Sequence, residues 1–448
     1  MKRAALFTSL IIAVSLILLP SRQAAEMGQF TYDDFSDPKQ CAMCHREMHE
    51  EWQQSLMSQS FTHPWDDVEY FKLALPHALK LEKVAGVKSG CMGCHAPLAY
   101  LSGDIPPKPP SAGTRANESV NCDVCHTITG STEEVPFNFS YKMDPGNVKY
   151  GIRKDSEPQF HEVAYSSFIG SPELCANCHD EQSPYGAWVK ETYREWKAGP
   201  YSKQDTRCQD CHMHHAPGKA ASMGRERDGV AHHVFHGPHF DQKLKGSVDI
   251  ALYTDGSGVK RGSTVVIRAV LYNGKVGHYI PSGSSEERML WLEVQASNGE
   301  GGVIRIPVDK KGFPGEAFTI ADSQAVAYQA MGEILEVPGY KGISRDGKLP
   351  DGSRIFRRPF FDPEGRMTIC QWFTEKNSDI DYRIGPRETK LETYTWRVPE
   401  NFPAQTATIT ATLYYSLVPS SVGEFLKLPA YSYEAKVVNT AAIKLDIP

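Results

Sequence analysis

Five copies of one pentapeptide, Cys-x-x-Cys-His, lie between residues 41 and 212. They are Cys41-Ala-Met-Cys44-His45, Cys91-Met-Gly-Cys94-His95, Cys122-Asp-Val-Cys125-His126, Cys175-Ala-Asn-Cys178-His179 and Cys208-Gln-Asp-Cys211-His212. Composition alone would give on the order of 0.01 such pentapeptides, so the pattern is not accidental and reads as c-type haem attachment. Two thiols must add to two vinyl groups on one porphyrin edge. A three-residue step sets both sulfurs on one side of a single turn, and the next residue offers an imidazole to the iron. Disulfides would not require a histidine after every pair, and neither would zinc ribbons. The reading assigns five covalent haem c groups, held by those ten cysteines. His45, His95, His126, His179 and His212 are the proximal iron ligands. Cys370, the eleventh cysteine, stands in the strand-like Met367–Phe373 and reads as a buried inert thiol.

Haem of this type is attached outside the cytoplasm, and the N-terminus fits export. Lys2 and Arg3 precede an apolar run from Ala4 to Leu19 that ends at Pro20. Residues 1–25 read as a secretory signal peptide. Ser21-Arg22-Gln23-Ala24-Ala25 makes a poor cleavage site, so an uncleaved inner-membrane anchor is the alternative. No cysteine follows closely enough for a lipid anchor, and no later segment is long and apolar enough to span a bilayer. The expected location is periplasmic or extracellular. A formal net charge of -6 argues against a nucleic-acid partner.

The chain changes character near residue 247. Residues 26–246 hold every motif in short helical pieces and loops, a pentahaem cytochrome c domain whose porphyrins supply apolar mass. From 247 to 448 the apolar residues recur at period two, as in Ala407, Ile409, Ala411, Leu413 and Tyr415. Val248–Tyr253, Thr264–Tyr272, Met289–Gln295, Val303–Pro307, Leu391–Val398 and Tyr431–Val437 also read as strands. Seven or more short strands suggest an all-β, immunoglobulin-like sandwich without haem, a lid or docking module. The predicted fold is therefore α+β and multidomain. A weak internal repeat relates Glu51-Trp52-Gln-Gln-Ser55-Leu-Met57-Ser58 to Glu195-Trp196-Lys-Ala-Gly199-Pro-Tyr201-Ser202.

Each iron needs a sixth ligand or an open position. Five of the 16 histidines stand in the motifs, and the rest suggest mostly bis-histidine haems. His161 is one candidate, with a surface role as its alternative. In Ala231-His232-His233-Val-Phe-His236-Gly-Pro-His239, His233 and His239 are favoured, with His232 and His236 as substitutes. His63 and His77 lie between the first two motifs. His278, in a turn of the β region, either reaches back to a haem or hydrogen-bonds locally. His49, His214 and His215 are too near their own proximal histidines.

The chain resembles the multihaem cytochromes related to the tetrahaem electron acceptor of hydroxylamine oxidoreductase. The resemblance rests on the Glu-Trp segments, on Leu174-Cys-Ala-Asn-Cys-His-Asp180, and on Cys208-Gln-Asp-Cys-His-Met213 followed by His233 to His239. Gly277-His278 and Ile384-Gly-Pro-Arg-Glu-Thr389 look like exported multihaem proteins with a β-sandwich tail. It implies periplasmic or surface electron transfer, with His161, His233 and His239 as distal ligands. The family usually has a histidine five residues after the Trp; here Met57 and Tyr201 stand there, which raises a His/Met haem or an open one. The expected function is an electron relay in an exported respiratory chain, with other redox proteins or a membrane quinol-oxidising complex as partners. The alternatives are a haem oxidoreductase acting on a small nitrogen or sulfur compound, and a subunit of a self-assembling haem wire organised by the β domain.

Overall fold

All five attachment pentapeptides sit on helical turns in the computed structural model, which describes residues 24–309, 332, 334–337 and 352–448. Cys41 closes α1 (Pro38–Ala42), and His45 caps α2 (Arg46–Gln53). The next helices are α3 (Pro64–Val68), α4 (Leu75–Lys80), α5 (Val87–His95), which ends on motif two, and α6 (Pro97–Leu101). Motif three is the whole of α7 (Cys122–His126), and motif four ends α8 (Pro172–His179). After α9 (Thr192–Ala198) and α10 (Pro200–Lys203), motif five is the whole of α11 (Cys208–His212). At 3.6 residues per turn, thiols three apart share a face, so a short helix suits the chemistry. Local signals start these turns: Asn121 accepts the Val124 N–H, Asp37 accepts the Lys39 N–H, and Pro38 and Pro172 occupy first-turn positions.

The haem-bearing half also contains strands that helical pieces and loops alone do not describe. β1 (Ile128–Ser131) pairs with β2 (Tyr141–Met143), β3 (Val148–Gly151) runs parallel to β4 (Glu162–Tyr165), β5 (Asp180–Gln182) pairs with β6 (Trp188–Glu191), and β7 (His215–Lys219) with β8 (Glu226–Ala231). Each is two-stranded and too small to stand alone.

Besides a small sheet of β14 (Phe360–Phe361), β15 (Met367–Thr368) and β16 (Lys376–Asn377), in the order β15-β14-β16, the second half is built on two antiparallel sheets. One joins β9 (Asp249–Thr254), β10 (Thr264–Tyr272) and β17 (Thr389–Arg397) in the order β17-β10-β9. The other joins β11 (Met289–Ser297), β12 (Val303–Ile306), β18 (Thr406–Ser416) and β19 (Lys436–Asp446) in the order β12-β11-β18-β19, with β13 (Arg354–Ile355) also on β11. Val265, Ile267, Ala269 and Leu271 of β10 share one core with Leu290, Leu292, Val294 and Ala296 of β11 and with Ala407, Ile409, Ala411 and Leu413 of β18. The period-two pattern thus builds a two-layer packing.

Two strand expectations are corrected. The stretch Tyr431–Val437 is a strand only at its end: Ala430–Ser432 is a 3-10 turn, and pairing with β18 begins at Lys436. Tyr433 instead packs its ring beside Gly423, where a Cβ would clash with it. Met367–Phe373 is a strand only over Met367–Thr368, and a 3-10 turn follows at Gln371–Phe373.

The two halves share a second core. Trp65, Leu73, Ala74, Ala78, Val84 and Val87 pack with Met289, Trp291, Ile355, Cys370, Trp372 and Val422. Polar links cross the same join: Arg383 pairs with Glu195 at 2.7 Å, Arg358 with Glu191 at 2.7 Å, and the Ser183 hydroxyl donates to the Thr374 carbonyl at 2.6 Å. A loosely tethered lid would not share a core in this way.

The segment read as a signal peptide lies outside the described residues up to residue 23. Among the described residues, no helix is long and apolar enough to cross a membrane.

Candidate haem-binding sites

Three motif histidines face a second imidazole. His45 and His161 have ring centroids 6.2 Å apart, His126 and His233 6.2 Å, and His212 and His278 6.5 Å. Two metal–nitrogen bonds of about 2 Å, plus the two half-rings, put imidazoles on one iron about 6.3 Å apart centre to centre. The three pairs therefore leave room for an iron between them.

Tautomers agree. His45 Nδ1 lies 2.6 Å from the Ala220 carbonyl, His126 Nδ1 2.7 Å from Tyr150 and His212 Nδ1 2.7 Å from His236. The facing rings repeat this: His161 Nδ1 lies 2.9 Å from the Glu162 carbonyl, His233 Nδ1 3.0 Å from Ala231 and His278 Nδ1 2.8 Å from Tyr279. A carbonyl can only accept, so Nδ1 carries the proton and each Nε2 keeps a lone pair for a metal. Burial reinforces this by disfavouring the imidazolium. It pulls His212 and His233 down to about 4, helped by repulsion from His278 and His126 respectively. The residues present fit haem c with two imidazole ligands at motifs one, three and five.

Motif two is built differently. His95 Nδ1 lies 2.8 Å from the Ser60 carbonyl and 3.0 Å from a carboxylate oxygen of Asp66. Burial lowers its basicity, but the hydrogen bond and charge of Asp66 outweigh it and carry the imidazole up to about 9. His179 of motif four is also buried, and burial, then Lys190, lowers it to about 4. Among the described residues, neither His95 nor His179 has a facing imidazole at the 6 Å spacing of the other three.

The remaining candidates lie elsewhere. His63 and His239 face each other at 6.1 Å, and neither belongs to a motif. His77 accepts the Trp372 indole N–H at 3.2 Å and packs on Phe373, so it is not set against a motif histidine. His232 stacks on His214 at 4.4 Å, and His236 on Phe240 at 3.6 Å. Tyr201 donates its hydroxyl to the Gly274 carbonyl at 2.6 Å, and Met57 contributes its carbonyl to Val120 N–H.

The motifs touch one another. The thiol of Cys41 lies beside that of Cys122, Cys94 beside Cys178, and Cys175 beside Cys208. Cys125 also lies within electrostatic reach of Cys175. Motif one thus lies beside motif three, and motif four beside both two and five, with motif three near motif four.

Sequence reading missed a cluster of buried acids beside motif two. Glu69, Glu286 and Glu287 are each less than 9% exposed, and Glu69 and Glu286 are pushed well up by burial and by Glu287. Glu287 pairs with Arg288 at 2.7 Å, and Lys190 pairs with Glu181. Nothing local marks these residues, because they come together only where the halves meet.

A family model described as cytochrome c554 and c-prime matches residues 40–127. Among solved structures, the chain is similar to a penta-heme cytochrome c552 from Thermochromatium tepidum, 19% identical, with a TM-score of 0.62 over 92% of this chain and 99% of that one. Spo0M, a sporulation control protein from Bacillus subtilis, overlaps 45% of this chain and 49% of its own at 8% identity, and its TM-score of 0.18 carries no argument. No curated protein matches the chain. Motifs, family match and fold together support a multihaem c-type cytochrome, an electron-transfer haem protein that binds haem c covalently.

Proposed function

We propose that the chain is a pentahaem relay of an exported respiratory chain. It would pass electrons between redox proteins or from a membrane quinol-oxidising complex. The observation that carries this reading is that every attachment motif lies beside at least one other. Haem c supplies one-electron iron chemistry when bound. The chain's own residues fix its position: ten thiols anchor five edges, and His45, His95, His126, His179 and His212 offer proximal nitrogens. His161, His233 and His278 offer distal nitrogens to motifs one, three and five. Residues 26–246 form the haem-bearing unit, and residues 247–448 an immunoglobulin-like sandwich, a reading supported by its two facing antiparallel sheets. Kinship with the tetrahaem acceptor of hydroxylamine oxidoreductase and export by the N-terminal segment belong to the same proposal.

The test is the holoprotein made in a host that matures c-type cytochromes. Its mass should exceed the polypeptide by five haems, and replacing the cysteines of any one motif should remove one. Fewer than five haems in the parent protein would overturn the reading.

A second reading, an oxidoreductase acting on a small nitrogen or sulfur compound, is favoured by the surroundings of motif two. His95 lacks a facing imidazole among the described residues, its Nδ1 meets a carboxylate, and buried acids stand close by as proton donors. A high-spin ferric signal together with turnover of nitrite or hydroxylamine would establish it. An all-low-spin protein without turnover would remove it.

A further inference from the structure

The two Glu-Trp segments are copies in hydrogen bonding as well as in sequence. The Trp52 indole donates to the Val120 carbonyl at 2.8 Å, and the Val120 N–H donates to the Met57 carbonyl at 3.1 Å. In the second copy the Trp196 indole donates to the Thr206 carbonyl at 2.8 Å, and the Thr206 N–H donates to Tyr201 at 3.0 Å. Val120 stands two residues before Cys122 of motif three, and Thr206 two residues before Cys208 of motif five. Each Trp therefore grips the entry to one attachment motif from the same side. The serines agree as well. Ser58 donates to the carbonyls one and three residues after Trp52, and Ser202 does the same after Trp196.

The glutamates reach to the other side of the same two sites. Glu51 accepts the backbone N–H of His233 at 2.6 Å and also meets the ring of His232. Glu195 accepts the backbone N–H of Tyr279, next to His278, at 3.1 Å, and the Ser282 hydroxyl at 2.6 Å. His233 faces His126 of motif three, and His278 faces His212 of motif five. So the Trp of each segment holds a motif, and the Glu beside it holds the backbone at the histidine facing that motif: His233 itself in the first copy, and Tyr279, next to His278, in the second.

We infer that each Glu-Trp segment is a ligation clamp for one haem. Glu51 and Glu195 are positioning residues that hold the backbone at the sixth ligand, Glu51 at His233 and Glu195 one residue beyond His278. They act through main-chain N–H groups, so they set where the imidazole stands rather than how basic it is. A carboxylate holds an N–H more strongly than a neutral acceptor, and the grip survives in part with an amide oxygen. The segment thus serves a haem without donating a ligand, with Tyr201 bonded to the Gly274 carbonyl and the Met57 carbonyl to Val120. The inference rests on His233 and His278 being sixth ligands, and the test separates the two claims.

The experiment quantifies high-spin ferric haem per molecule by electron paramagnetic resonance, alongside the haem count, in Glu51→Ala, Glu51→Gln, Glu195→Gln, His233→Ala and His278→Ala. Glu51→Ala should keep every haem and raise the high-spin signal toward one haem above the parent protein, and added imidazole should reverse the rise. Glu51→Gln should recover at least half of the low-spin signal. Glu195→Gln should show a smaller rise, at motif five. If His233→Ala and His278→Ala leave the spin state unchanged, the ligand reading fails and the clamp falls with it. If those variants turn one haem high-spin while Glu51→Ala does not, the clamp alone is overturned. Loss of haem in Glu51→Ala without a high-spin rise overturns it too, since that marks a purely structural role. The Glu51 arm is decisive because its carboxylate is less buried than that of Glu195, 14% against 6% exposed, so its removal disturbs the fold less.

Discussion

The two Glu-Trp segments share one hydrogen-bond pattern and differ in what surrounds it. The first closes on itself: Glu51, His232 and His233 all belong to the haem-bearing half, and the carboxylate and the His232 ring retain 14% and 24% exposure. The second reaches across the molecule: Glu195 holds Tyr279 and Ser282 of the β-rich half and is buried against Arg383, at 6% and 4% exposure. One local device has therefore been used twice, once within a half and once to join two halves. The histidine facing motif five comes from a turn of the β-rich half. On the proposed ligation, a β region without a haem motif would therefore be part of a haem site.

The contrast predicts unequal energetics. Arg383→Met strands Glu195 as a buried charge and should cost about 3–5 kcal/mol, read as a large fall in thermal stability. A cost like that of an exposed pair would place the two clamps on an equal footing. At the same join Cys370 is 1% exposed within the shared core, and burial pushes its thiol up. Cys370→Ser should cost about 1–3 kcal/mol, by burying a hydroxyl where a thiol packed, and should leave the haem count unchanged. Loss of a haem would show that this cysteine is not inert. Trp52→Phe and Trp196→Phe each remove one indole hydrogen bond and should cost about 0.5–1.5 kcal/mol alike; a clear difference in denaturant midpoints would break the equivalence of the two copies. His232→Ala removes a part-exposed partner of Glu51 and should cost at most about 1 kcal/mol, with the His233 N–H contact and the spin state kept.

The join also carries a pH signature. Burial, then Glu287, raises Glu69 well above the ordinary carboxylate range. The folded state therefore holds this proton more tightly than the unfolded chain does. The stability this contributes is complete below the unfolded carboxylate pKa of about 4.3 and is lost as pH rises through the folded value. Glu69→Gln has no proton to lose, so its stability relative to the parent protein should increase from pH 4 to pH 8. Denaturant midpoints at the two pH values check the sign.

Much of the site was legible because it is local. A pentapeptide holds two thiols and an imidazole within one helical turn, and no distant residue is needed to read it. The strands of the sandwich were legible for a similar reason: β10 spans Thr264–Tyr272, and alternation through β18 is plain in the chain. The failures came where packing overrode pattern. Tyr431–Val437 alternates like a strand, yet Tyr433 is drawn beside Gly423 and pairing starts later. His77 looked like a ligand and is instead held between Trp372 and Phe373 across the join.

The amino-acid sequence by itself determined the five Cys-x-x-Cys-His turns, the reading of covalent haem c that rests on them, and the existence of a β-rich second half. These follow from spacings of a few residues, and covalent geometry enforces those. Only the tertiary structure decided which imidazoles face one another, in what order the motifs touch, and that the repeated Glu-Trp segment spans two sides of a site. Residues brought together from positions far apart in the chain meet because two cores fold around them. His212 and His278, on opposite sides of the join, carry no sign of each other in the chain.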